Sequence, residues 1–108
     1  MRKREKISAI RILRKASNLL KEVGWCQGRF RTTEEDGKTP TAFCVIGALD
    51  EVREDRSNLH SSYALIDYLK SKYPYYISLA SWNDSPDRKK REVLLALQAT
   101  ANRLEKTL

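Results

Sequence analysis

The chain has little of what most site chemistry requires. Among 108 residues there is one histidine, His60, and there are two cysteines, Cys26 and Cys44, 18 positions apart. No Cys-x2-Cys pair and no histidine cluster accompanies them, which excludes the usual structural zinc patterns. Carboxylates paired at a spacing useful for acid–base work are missing, as is a glycine loop of the phosphate-cradling kind. No apolar run approaches the ~20 residues that span a membrane. The start, MRKREKISAIRIL, is basic but has no apolar stretch long enough for a secretory signal. Four glycines and three prolines are too few for an all-β or disordered chain. No internal repeat or low-complexity tract occurs. These absences point to a reducing, cytoplasmic setting with free thiols, a Cys26–Cys44 disulfide being the alternative. They point also to no metal, no cofactor, no membrane and no enzymatic activity. The catalytic alternative is a thiol enzyme with Cys44 as nucleophile, His60 as base and Asn83 or Asp84 as orienter.

What is present is mostly amphipathic helix. Apolar residues make up 41% and charged residues 32%, which suits a small globular protein with a thin core. Ile10, Leu13, Ser17 and Leu20, widened by Ala16 and Val23, mark one helical stripe and predict a first helix over 5–23. Phe43, Ile46 and Leu49 with Val45 and Val52 predict a second helix over 41–53, capped by Thr41 after Pro40. Residues 55–58 read as a turn, with Ser57 or Asn58 as cap. A third helix over 59–73 follows Leu59, Tyr63, Ile66, Leu69 and Tyr73, and Pro74 ends it. Residues 75–82 have room for one or two helical turns. Val93, Leu94, Leu97, Ala101 and Leu104 predict a last helix over 87–106. The fold class is therefore mainly α: a compact four- to five-helix single domain, with residues 1–4 as a flexible basic tail.

The exception is the stretch 24–49, which holds both cysteines, one of the two tryptophans and all four glycines and then closes on GAL at 47–49. Gly24 follows the first helix as a C-terminal cap would. Asp36-Gly37 is a turn signal, and Pro40 argues against a continuous central strand. Residues 24–40 are thus an irregular insert between helices 1 and 2, with an extended piece over 27–32 and room for a short β-hairpin. Gly47 inside an apolar helix costs about 1 kcal/mol against Ala unless something must come close. Trp25 in this insert and Trp82 before the last helix both stand in non-regular segments, so the insert is expected to pack near residues 82–86.

That juxtaposition yields a candidate ligand site: Trp25, Gln27, Gly28, Arg29, Arg31, Cys44, Gly47, Trp82, Asn83 and Asp84. The indoles would stack, Gln27, Asn83 and Asp84 would make directional polar contacts, and Arg29 and Arg31 would supply charge for a phosphate or carboxylate. The same residues also suit a structural reading, in which the indoles close the core, the glycines permit tight packing and Asn83 or Asp84 caps a helix.

The net charge of +7 is unevenly spread. Residues 1–31 carry ten Lys/Arg against two Glu, residues 32–84 five basic against nine acidic, and residues 85–108 six basic against three acidic. Terminal helices packed side by side would gather Arg11, Arg14, Lys15, Arg88, Lys89, Lys90 and Arg91 on one basic face able to meet phosphates. The plain alternative is a solvated surface with ordinary salt bridges. The Arg88-Lys89-Lys90-Arg91 run opens the last helix, where cations oppose the helix dipole. An acidic neighbour such as residues 50–55 would answer it, and so would an acidic partner.

Taken together, GWCxG at 24–28, CxxGAL at 44–49, WND at 82–84 and EVL at 92–94 resemble an uncharacterised family of small bacterial and phage proteins, a domain of unknown function. The resemblance covers about residues 10–104. It departs just before the last helix, where the family usually shows Thr and this chain has Lys89. It implies no activity. Occurrence in phages implies an accessory role, such as interference with host defence. The first expectation for function is thus a binding module for a host or phage protein. The others are a nucleotide or small-metabolite binder, and nucleic-acid binding through the basic terminal helices.

Overall fold

The computed structural model describes residues 1–55, 58–76 and 78–108. Five helices and one hairpin follow in order: α1 Lys3–Glu22, β1 Arg31–Thr33, β2 Pro40–Phe43, α2 Val45–Val52, α3 His60–Lys72, α4 Leu79–Asn83 and α5 Lys90–Glu105. α1 is the centre of the packing, flanked by α5, α2 and α3. It buries Ala9, Ile10, Ile12, Leu13, Ala16, Ser17 and Leu20 along the expected stripe. Lys3 and Arg4 already belong to this helix rather than to a tail. Its start is tied by the Glu5 carboxylate, which accepts from the Arg2 N–H at 2.7 Å.

α1 and α5 run antiparallel. Ser17 faces Gln98 (3.2 Å), Arg14 meets Asn102 (3.3 Å) and Glu105 (3.1 Å), and Lys6 Nζ donates to the Thr107 carbonyl (3.1 Å). In α5 the core face is Val93, Ala96, Leu97, Thr100 and Ala101. The α3 stripe differs from the sequence expectation. Ser61, Ala64, Leu65 and Leu69 are buried, whereas Leu59 and Tyr63 are exposed. The small residues Ser61 and Ala64 let the neighbouring helices approach closely, and the larger Tyr63 is turned outward. Asn58, not a side chain at the N-cap itself, supports the start of α3: its Oδ1 accepts from His60 N at 3.2 Å. Ser57, the other expected cap, lies outside the described residues.

The second helix starts at Val45, four residues later than the expected 41. Pro40 opens a strand instead, the strand position in which proline is tolerated. β2 pairs antiparallel with β1 in the register Arg31↔Phe43, Thr32↔Ala42 and Thr33↔Pro40, with an irregularity at Thr32/Thr33. On its other side β2 meets the segment after α1: Phe43 N donates to Gly24 O and Cys26 N donates to Phe43 O, both at 3.0 Å, a one-residue parallel bridge between Trp25 and Phe43. These bonds hold Phe43 extended, so helix can begin only at Cys44. Cys44 rather than Thr41 is the N-cap, its sulfur accepting from Gly47 N at 3.3 Å. The insert is therefore a small sheet set against α2.

Candidate functional site

Two glycines decide how the insert is mounted. Gly24 has φ +143°, and a Cβ there would stand 2.7 Å from the Thr41 carbonyl oxygen. Gly47 sits where a Cβ would come within 2.1 Å of the Phe30 carbonyl oxygen. That carbonyl accepts from Cys44 N at 3.0 Å. The unusual helical glycine thus serves close backbone approach: the irregular segment before β1 lies directly on α2. At the hairpin tip, Asp36 accepts from Lys38 N (2.8 Å), Thr39 N (2.9 Å) and Thr39 Oγ1 (2.5 Å). Those three bonds hold its carboxyl below the usual carboxylate range.

Asn83 joins the insert to the rest of the molecule. It is fully buried. Its Oδ1 accepts from Trp25 Nε1 (2.8 Å) and from Val45 N (3.0 Å). Its Nδ2 donates to Cys26 O (3.1 Å) and to Asp84 Oδ1 (2.9 Å). An amide has two donors and two strong acceptor positions, and all are used. Gln27 Nε2 donates to the carbonyls of Asn83 (3.0 Å) and Ser85 (2.8 Å), and Gly28 N donates to Asp84 Oδ1 (3.0 Å). The insert does pack against residues 82–86, and Trp25, Gln27, Gly28, Cys44, Asn83 and Asp84 do come together. The amide edges expected to read a ligand are, however, engaged with the protein itself.

Trp82 stands elsewhere. It is 1% exposed, and the buried Arg88 guanidinium lies 4.2 Å from its ring centroid. The same guanidinium is 4.8 Å from the Tyr73 ring and 5.5 Å from that of Tyr76, while Arg88 Nε donates to Trp82 O at 2.9 Å. The second indole is thus core rather than a stacking face. Arg88 is removed from the expected basic surface, because three aromatic rings and a carbonyl take up its cation. The other members of that surface are exposed or half-exposed. Arg14 is held by Glu105, and Lys15 lies 3.8 Å from Glu54. Within 50–55, Asp50 pairs with Arg53 and Glu54 with Lys15 rather than with the run at 88–91. The start of α5 is supported by Glu92, whose carboxylate accepts from Lys89 N at 2.8 Å. This is half a capping box, since a lysine side chain has no acceptor to complete it.

Cys26 and Cys44 are free thiols. Burial raises both pKa values above the ordinary 9.0. For Cys26 the nearness of Cys44 adds to the rise; for Cys44 the Gly47 N–H partly opposes it. Neither thiol is activated as a nucleophile would be. His60 is engaged by Glu5 at 2.9 Å, and no hydrogen bond joins it to Cys44 among the described residues.

The residue that sequence reasoning missed is Phe30. It is 65% exposed, although its backbone is pinned to α2. Clefts open on both sides of it. One, of about 210 Å³, is walled by Gly28, Arg29, Cys44, Ile46, Ala80 and Asp84. The other, of about 380 Å³, is walled by Arg31, Phe43, Gly47, Asp50, Glu51 and Arg53. The expected site residues Arg29 and Arg31 therefore face different clefts across one aromatic ridge. The available signal was an aromatic residue between two cations in a segment with no period.

A model of a family of unknown function, DUF6197, matches residues 4–103. The chain belongs to that family. No curated protein and no solved structure matches it.

Proposed function

We propose that this DUF6197 chain is a non-enzymatic binding module that grips a partner protein with the Arg29-Phe30-Arg31 ridge. One observation carries the reading: an exposed phenylalanine stands on a backbone that is fixed before any partner arrives. Cys44 N holds the Phe30 carbonyl, Gly47 leaves room for it, and the Asn83 network locks the preceding turn. A preformed anchor loses little freedom on binding. Aromatic and arginine side chains dominate interface energetics, and the clefts beside Phe30 give a partner's side chains somewhere to go. The non-enzymatic part rests on the same geometry, since Asn83, Gln27 and Asp84 hold the fold. The reading includes a reducing, cytoplasmic setting, supported by the two unjoined thiols. In a phage-borne chain it takes the form of an accessory role against a host protein, host defence included.

Affinity capture from host lysate tests this with three baits: the unaltered chain, Phe30→Ala, and Tyr63→Ala as an exposed aromatic control on α3. A protein retained by the first and third baits and lost with Phe30→Ala supports the proposal. An unchanged set of captured proteins overturns it.

The smaller cleft favours one second reading. Arg29 and Asp84 offer opposite charges beside the apolar walls Cys44, Ile46 and Ala80, which suits a small zwitterion or carboxylate. Small molecules released on denaturing the purified chain, and lost in Arg29→Ala, would favour it over the protein partner.

A further inference from the structure

Most cations at the start of α5 have no ion-pair partner among the described residues. Arg88 is taken into the aromatic cluster, but Lys89, Lys90 and Arg91 make no ion pair among the described residues. Glu92, the one acid in the first turn, is already engaged by Lys89 N at 2.8 Å and by Arg88 Nη1 at 3.5 Å. Three cations therefore crowd the positive end of a helix dipole that a single first-turn acid, Glu92, opposes.

Beside them a groove of about 360 Å³ opens between the end of α3 and the first turns of α5. Lys72 and Tyr68 wall it from α3, Tyr73 follows them, and Arg91, Glu92 and Leu95 wall it from α5. Leu95 is 61% exposed, an aliphatic side chain left at the mouth with no cover. The groove thus combines cations from two helices with an apolar contact point.

We propose that this groove docks an acidic segment of a partner protein anchored by one apolar side chain. Carboxylates of the segment meet Lys72 and Arg91, with Lys89 and Lys90 extending the positive rim, and the anchor covers Leu95. Such a segment adds negative charge at the positive end of α5 and covers the exposed leucine, so one occupant engages both features. A nucleic acid fits less well. The Tyr73 ring already carries Arg88 at 4.8 Å and Lys72 at 5.9 Å, and the exposed residue at the mouth is aliphatic rather than a stacking ring. A sugar–phosphate backbone also carries a charge at every nucleotide and cannot skip the Glu92 carboxylate, whereas acidic side chains can be spaced around it. This inference is independent of the Phe30 ridge.

Fluorescence anisotropy with defined probes tests it. The probes are a labelled Glu/Gly peptide with one central Leu, the same peptide with Leu→Ala, the same with every Glu→Gln, and a single-stranded oligonucleotide of matched charge. The Glu/Leu peptide is expected to bind best, to lose affinity steeply with salt, and to weaken by at least about tenfold toward a Lys90→Glu/Arg91→Glu double variant. That variant places acids where the dipole favours them, so it keeps its fold, which circular dichroism verifies. A Lys/Leu peptide should bind the double variant better than the unaltered chain does. Leu95→Ala should remove the advantage of the Leu peptide over its Ala version, and Phe30→Ala should leave peptide binding intact. No binding by the unaltered chain, binding that survives charge reversal, equal or tighter binding of the oligonucleotide, or loss of peptide binding in Phe30→Ala each overturns the proposal.

Discussion

Asn83 is the side chain on which the most depends. Replacing it with Ala leaves Val45 N without its partner in a buried place, and Trp25 Nε1 and Cys26 O without theirs in half-buried ones. At about 1–3 kcal/mol for each orphaned group, part of it recovered by relaxation, Asn83→Ala should lose about 3 kcal/mol or more in urea unfolding. A loss under about 1 kcal/mol would mean that the network is dispensable. The two thiols give a second residue-scale prediction, and its sign is fixed by burial. Their folded pKa values lie above the ordinary 9.0, so the native state holds these protons longer than the unfolded chain does. The resulting stabilisation is complete below pH 9.0 and is lost as pH rises through the raised values. At pH 8 iodoacetamide should modify Cys26 more slowly than free cysteine, and Cys44 only on unfolding. Labelling of Cys44 in the folded chain at the rate of free cysteine would contradict this.

At the scale of elements, the long first and last helices were legible because they repeat their apolar residues at helical spacing, and Pro74 marks where the third cannot continue. The second helix was over-read for a physical reason. Residues 42–49 are apolar without a break, and a continuous apolar run does not reveal whether it is strand or helix. The choice is made by bonds from residues far along the chain, Gly24, Cys26 and Phe30, which hold Phe43 and Cys44 extended. The α3 stripe was misplaced because Tyr63 and Leu59 look like core, whereas close helix packing selects the small Ser61 and Ala64. Gly47 was legible as an oddity, and the structure supplies its cause. Gly47→Ala should be destabilising even though alanine favours helix by about 1 kcal/mol, because the added Cβ meets backbone, not a flexible side-chain end. The expected outcome is a lowered melting temperature together with faster amide exchange at Cys44, whose N–H bonds to the displaced Phe30 carbonyl. A raised melting temperature would show that the insert can move off α2 at no cost.

At the scale of the whole molecule, the two terminal helices, whose side-by-side packing the charge layout raised only as a condition, do pair, and what joins them is apolar rather than ionic. Leu13 is fully buried, while its neighbour Arg14 reaches Glu105 and Asn102 across the surface. The Arg14 cation holds Glu105 below the usual carboxylate range, but both partners stay substantially in water. Exposed pairs of this kind contribute about 0–1 kcal/mol, whereas truncating a buried leucine to Ala costs about 2.7–5 kcal/mol because a cavity remains. The adjacent residues therefore separate the two accounts of what closes the chain. Leu13→Ala should lower the urea midpoint strongly with the slope unchanged, and Arg14→Ala should shift it little, the shift shrinking further as salt is added. Equal losses at the two positions would mean that the surface pair, rather than the seam beneath it, holds the first helix to the last.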